Sequence, residues 1–261
     1  MLHFLLLLGL YVGASIAATR ALFIGNSYIY FNGGVEHMYE QLMNLHGVDS
    51  THAQAIALPN YRLRQHVHDG VLSKAGDDWS HVILQEQSQT PGLPEDDSER
   101  QASTEAFCTL AVAACTAGSS CIILLQTWGR RDGDKEYPEL YGSFDAMQRR
   151  LTNGYFAMTD EVRRALDAVG ISAEVRIAPA GEAFGAVRGL DEALFHSLYH
   201  SDGAHPSIAG TYLTACVLAG CLHPELQLTD LGSYLPDGLS ERDATRLRQV
   251  AHETLTRRPE T

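Results

Sequence analysis

Two short segments, far apart in the chain, hold the residue types that hydrolytic chemistry needs. Near the start, Leu22-Phe23-Ile24 runs into Gly25-Asn26-Ser27. A serine just beyond a buried strand, after a glycine, sits in a tight turn with its hydroxyl exposed. Nearby backbone N–H groups there point toward any bound oxyanion. Near the end stands Ser201-Asp202-Gly203-Ala204-His205-Pro206-Ser207, immediately before a helical pattern. A serine hydroxyl is a poor nucleophile until a base takes its proton, and imidazole titrates in the useful range. A carboxylate on the other ring nitrogen selects the tautomer and stabilises the imidazolium. Asp202 and His205 are close enough for a single turn to join them, and Pro206 stiffens the next position. Each segment alone has a plainer reading, as a helix cap or a helix start. Together they predict Ser27 as nucleophile, His205 as base and Asp202 as the orienting acid. Glu182 ranks below Asp202 because no local geometry joins it to His205.

The elements that must position these residues are legible as short apolar β-type runs alternating with helical periodicity. That alternation argues for a parallel sheet covered on both faces. Strands are predicted over Arg20 to Ile24, Thr51 to Ala57, His81 to Leu84, Cys121 to Leu125 and Glu174 to Ala178. Helices are expected over about 34–46, 63–72, 97–117, 207–222 and 240–256. Phe144, Met147, Leu151, Tyr155, Met158, Val162 and Leu166 recur at three- and four-residue intervals, the pattern of one long amphipathic helix. Open parallel sheets bind ligands at the C-terminal ends of their strands. Ser27, Asn60, Gln85, Gln87, Thr127 and Trp128 all fall at such ends. Trp128 stands where an aromatic wall for a substrate is expected, with Arg130 beside it, although core packing is the alternative for a lone tryptophan.

A strand-one serine with a late Asp-x-x-His-Pro, bracketing five strand-like runs, resembles the layout of the SGNH hydrolases, also called GDSL-like esterases. The resemblance implies a flavodoxin-like three-layer α/β/α sandwich with a five-stranded parallel sheet. It also implies a Ser-His-Asp triad hydrolysing acyl esters or thioesters without metal or other cofactor. The chain departs from the family pattern in three places. Asn26 stands where aspartate is usual. Pro59-Asn60-Tyr61-Arg62 lacks the expected glycine, leaving the Asn60 backbone N–H as the donor. Leu84-Gln85-Glu86-Gln87-Ser88-Gln89 replaces Gly-x-Asn, so the Gln85 or Gln87 carboxamide would complete an oxyanion hole begun by the Ser27 N–H. Alternation along an extended segment points both glutamines the same way and does not choose between them. This run, with Thr127-Trp128-Gly129-Arg130-Arg131-Asp132-Gly133, resembles a glutamine-bearing branch of the family.

Composition narrows the rest. The chain has 261 residues, 45% hydrophobic and 20% charged, as expected of a globular protein. Nineteen basic against 32 acidic side chains give a net charge of −13, which opposes nucleic-acid or anionic-membrane binding. Leu2 to Ala18 carries no charged side chain, and small residues follow its Leu run. This predicts a signal peptide over residues 1–18 ahead of a single domain over 19–261, secreted and free of the membrane after cleavage. An uncleaved anchor is the alternative. Five cysteines leave at least one thiol unpaired within the chain. His66 and His68 alternate without a third metal ligand at suitable spacing, so no metal site is expected. The expected substrate is a small-molecule or glycan ester with a short acyl group, such as a carbohydrate O-acetyl ester. A lysophospholipase or thioesterase, and a non-catalytic glycan-binding protein on the same fold, are the rivals.

Overall fold

The apolar runs pair side by side because a segment buried on both faces can satisfy its backbone only through neighbouring strands. In the computed structural model, which describes residues 19–48, 51–76, 78–230 and 234–257, five strands form one sheet. They are β1 (Arg20–Gly25), β2 (His52–Ala57), β3 (His81–Leu84), β4 (Cys121–Leu125) and β5 (Glu174–Ala178). Their order is β2-β1-β3-β4-β5, and every pairing is parallel. Ile24 lies beside Ile56 on one side and Leu84 on the other, which fixes the register at the end where Ser27 follows. The expected leader, residues 1–18, lies outside the described residues.

Eleven α-helical segments complete the described residues. In chain order they are α1 (Ser27–Tyr30), α2 (Val35–Leu45), α3 (Leu63–His68), α4 (Val71–Ala75), α5 (Ser98–Thr116) and α6 (Pro138–Tyr141). Then come α7 (Phe144–Ala168), α8 (Ala180–Leu190), α9 (Glu192–Ser197), α10 (Ile208–Leu222) and α11 (Glu241–Thr256). Alternation along the strands divides the core in two. Ala21 and Phe23 of β1, with Ile83, Ile123 and Leu125, face α2, α8, α10 and α11. Leu22 and Ile24, with Val82, Leu84, Ile122 and Leu124, face α3, α5 and α7. This is the expected three-layer sandwich. Helix α10 is apolar nearly all round and lies against α2 and α11, as a helix without a polar face must.

The single helix expected over 63–72 is two helices. Gly70, at φ 64°, takes the left-handed conformation between α3 and α4 and ends the first of them. The short α1, α6 and α9 and the glycine-rich α8 carry too little periodicity to be read from sequence. A strand order of 2-1-3-4-5 reverses direction between β1 and β3, and the crevice beyond those two strand ends is where such sheets bind ligands. Topology therefore directs attention to Ser27, after β1, and to the glutamine run, after β3.

Candidate active site

Beyond Gly25 the chain turns at once into α1, and Asn26 is its N-cap. The Asn26 Oδ1 accepts from the Tyr28 N–H at 3.2 Å, while its Nδ2 donates to the Tyr61 carbonyl at 2.9 Å. An aspartate here could make the cap but not the second bond, which gives the asparagine a physical reason. The Asn26 N–H donates to Gln85 Oε1 at 2.9 Å. Gly25 has no room for a side chain, since a Cβ would lie 2.4 Å from that same Oε1. Its carbonyl accepts from His66 Nε2 at 2.8 Å and from the Leu58 N–H at 3.2 Å. Ser27 is thus set at the mouth of the sheet by four neighbours, with its own N–H among the unpaired donors that begin any helix.

The loop before α10 brings the second segment to it. His205 Nε2 stands 2.9 Å from Ser27 Oγ, and His205 Nδ1 stands 2.6 Å from Asp202 Oδ2. A ring nitrogen facing a carboxylate carries the proton, which leaves Nε2 as the acceptor toward the serine hydroxyl. Asp202 Oδ1 accepts from the backbone N–H groups of Ala204 and His205, both at 2.9 Å. Partial burial pushes the Asp202 carboxyl up, but these N–H donors and the imidazole outweigh it and hold the group below its ordinary range. The imidazole lies flat on Phe31, centroids 4.2 Å apart, and meets the edge of Tyr28 at 5.5 Å. Glu182, the lower-ranked acid, accepts instead from Gln126 Nε2.

Asn60 is the third residue of a turn in which the Tyr61 N–H donates to the Leu58 carbonyl. With proline before it and φ 59°, it takes the position of a type II turn that glycine ordinarily fills. Asparagine is the side chain that tolerates this conformation best. The missing glycine is replaced in conformation, and the Asn26–Tyr61 bond holds this turn beside the serine.

Two expectations need correction. Gln85 has no exposed surface, its oxygen accepting from the Asn26 N–H and its amide donating to the Glu86 carbonyl, so burial keeps its amide from a ligand. β3 ends at Leu84, and the alternation that would turn Gln85 and Gln87 the same way ends with it. Trp128 is 1% exposed, stacked between Tyr28 and Phe184 at 4.8 and 4.4 Å, and cannot wall a substrate. Its indole N–H donates to the Ala204 carbonyl at 3.0 Å, beside His205. Gln87 is only partly buried, its Oε1 capping the Gln89 and Thr90 N–H groups and its Nε2 directed at Gln89. Arg130 pairs with the buried Asp134 at 3.0 Å, and its side chain stays a quarter exposed.

Sequence reading missed the supporting residues. His66 is buried, and desolvation lowers its pKa, so it serves as a neutral donor to Gly25. Glu86, wholly buried and raised by desolvation, accepts from the Leu63 and Gln87 N–H groups and so pins α3 to the glutamine run. Its signal was a carboxylate inside an otherwise neutral strand end. Among the described residues no group of three or more His, Cys, Asp or Glu could hold a metal ion, all five thiols are free, and no helix is long and apolar enough to cross a membrane.

No protein-family model matches the chain, and no curated protein matches its sequence. Solved structures do match. A DUF4886 family protein from Bacteroides uniformis superposes with TM-score 0.62 at 18% identity, covering 91% of this chain and 94% of its own. Axe2, an acetylxylan esterase from Geobacillus stearothermophilus, gives 0.51 at 13% identity over 80% and 94%. The lipase/acylhydrolase from Enterococcus faecalis gives 0.52 at 11% identity over 80% and 97%. The chain therefore has the fold of the SGNH, or GDSL-like, hydrolases, with Ser27 and His205 adjoining at the carboxyl ends of its strands.

Proposed function

We propose that the chain is a serine esterase that transfers an acyl group from an ester to water. The observation that carries this reading is the continuous line Ser27 Oγ to His205 Nε2 to Asp202, at 2.9 and 2.6 Å. Ser27 attacks the ester carbonyl while Nε2 takes its proton, and the same proton is then given to the leaving alcohol. Water repeats the sequence on the acyl-enzyme and frees Ser27. Asp202 stays ionised and stabilises the imidazolium. The Ser27 and Asn60 backbone N–H groups hold the tetrahedral oxyanion, with the Gln87 carboxamide as third donor. Each such donor lowers the barrier by about 3 kcal/mol.

The substrate we propose is a short acyl ester on a bulky alcohol, such as an O-acetylated carbohydrate. Asp202 and His205 keep 41% and 28% of their side chains exposed. Tyr30, on the serine helix, and Leu58, before the Asn60 turn, are exposed at 37% and 41%. An open mouth with apolar flanks suits a large leaving group better than a long buried acyl chain. The likeness in fold to an acetylxylan esterase agrees with this. Residues 1–18 are taken as a leader that delivers one catalytic domain, 19–261, outside the cell.

A p-nitrophenyl ester series from acetyl to palmitoyl tests the reading. Hydrolysis should be fastest at acetyl, and Ser27→Ala should abolish it. Preference for long chains would replace it with the lysophospholipase or thioesterase reading. No hydrolysis of any ester, with glycan binding retained, would replace it with a binding protein.

A further inference from the structure

The backbone of the base loop has an unusual completeness. Four consecutive carbonyls, Gly203 to Pro206, each accept an N–H, three of them from beyond the loop and one, at His205, from His200 at the start of the loop's own turn. The donors are the Arg131 N–H at 2.8 Å, Trp128 Nε1 at 3.0 Å, the His200 N–H at 2.8 Å and Asn32 Nδ2 at 2.9 Å. The N–H groups of Gly203, Ala204 and His205 are also engaged, with the His200 carbonyl and Asp202 Oδ1. Every backbone polar group from 203 to 206 is paired.

Two of the four donors are side chains, and each comes from a different part of the site. Trp128 follows β4 and is itself clamped between two rings. Asn32 follows the serine helix α1, and its Nδ2 also donates to Thr211 Oγ1 at 2.8 Å. It holds φ 55°, in the left-handed region that asparagine tolerates. The carbonyls they hold are those immediately before and after His205.

We infer that Trp128 and Asn32 are positioning residues that bracket His205 and fix its imidazole between Ser27 and Asp202. The inference rests on the proposed esterase reading. Neither residue touches a reacting atom; each acts through a backbone carbonyl one residue from the base. Small displacements of a catalytic group lower rates steeply, so loss of either bond should be visible in turnover.

The test uses Trp128→Phe, which keeps a stacked ring and deletes the donor, and Asn32→Gly, which accepts φ 55° and deletes the carboxamide. Each should lower kcat for p-nitrophenyl acetate about ten- to a hundredfold, with KM changed less than about twofold. In parallel, proton NMR of labelled histidine follows the His205 Nδ1 proton without any turnover. It should be protected from water exchange in the parent protein and exchange-broadened in both variants. If the parent hydrolyses no ester, the esterase reading fails while the NMR comparison still decides the bracket. Folded variants that keep both parent kcat and a protected Nδ1 proton would overturn the inference. So would a fall in kcat with an unchanged Nδ1 signal, since that marks a merely structural role. Should Trp128→Phe not fold, Asn32→Gly decides alone.

Discussion

On one side of Ser27, the loop 202–207 sends Asp202 and His205 toward the hydroxyl and has its carbonyls held from outside. On the other side, the run 85–89 turns most of its polarity back on the protein. Gln85 braces Gly25 and Asn26, Glu86 holds the start of α3, Gln87 caps the run's own backbone, and Gln89 donates to the buried Asp134. Both segments lie at the mouth of one sheet and both are rich in polar residues. The difference teaches that a polar side chain at a strand end has two possible duties, to meet a ligand or to satisfy a buried amide. Residue type alone does not say which, because an unpaired buried N–H costs as much as a ligand bond gains.

Substitutions sharpen the contrast, and the largest effect belongs to the base loop. Asp202→Asn leaves the shape of the loop but removes the charge that favours imidazolium, and kcat for p-nitrophenyl acetate should fall by about 10³ to 10⁴. Gln87→Ala, the one change in the glutamine run expected to act on catalysis, should lower kcat by about 10² to 10³ and, by uncapping the Gln89 and Thr90 N–H groups, also lower the urea midpoint. Gln85→Leu should lower stability while leaving the kcat of the folded protein nearly unchanged. It leaves the Asn26 N–H and the Glu86 carbonyl unpaired, and unfolding in urea should report a loss of about 1–3 kcal/mol. Equal effects on kcat from the two glutamines would erase the distinction drawn between them.

Acid should strike the scaffold before the base loop. Burial lowers the pKa of His66 beneath Gly25 and of His81, the latter to about 4. Each binds its proton more weakly folded than unfolded, so their contribution to stability is complete above the ordinary imidazole value of 6.5. It is lost as pH falls through the folded values. Asp202, also held low, keeps its full contribution down to the ordinary carboxylate range and loses it only as pH falls through and below that range. The urea midpoint should therefore decline between about pH 6.5 and 4, and His81→Gln should flatten that slope. The smallest effect is at Asn60. Asn60→Gly should be nearly neutral and Asn60→Ala should cost about 1 kcal/mol, because only the backbone conformation matters there.

The sequence made the base loop legible and the glutamine run illegible for one reason. Asp-x-x-His lies within a single turn, so its geometry is local and spacing predicts the contact. The partners of Gln85 and Trp128 lie 59 and 76 residues away, and no pattern in either segment points to them. Strands β3, β4 and β5 matched their expected limits, β3 and β4 because each is a compact apolar run flanked by serine and glutamine, β5 because Pro179 stops it. Helix α8 was missed because Gly181, Gly185 and Gly189 dilute its apolar face. Asn60 stood between these cases. Its place in the chain was visible, but its glycine-like conformation was not.

Labelling with a fluorophosphonate probe, followed by peptide mass spectrometry, meets the main question head on. A nucleophile activated by imidazole should react within minutes, put the adduct on Ser27, and lose it in His205→Ala although residue 27 is unchanged. An unlabelled parent protein, or an adduct on any other residue, would contradict the account.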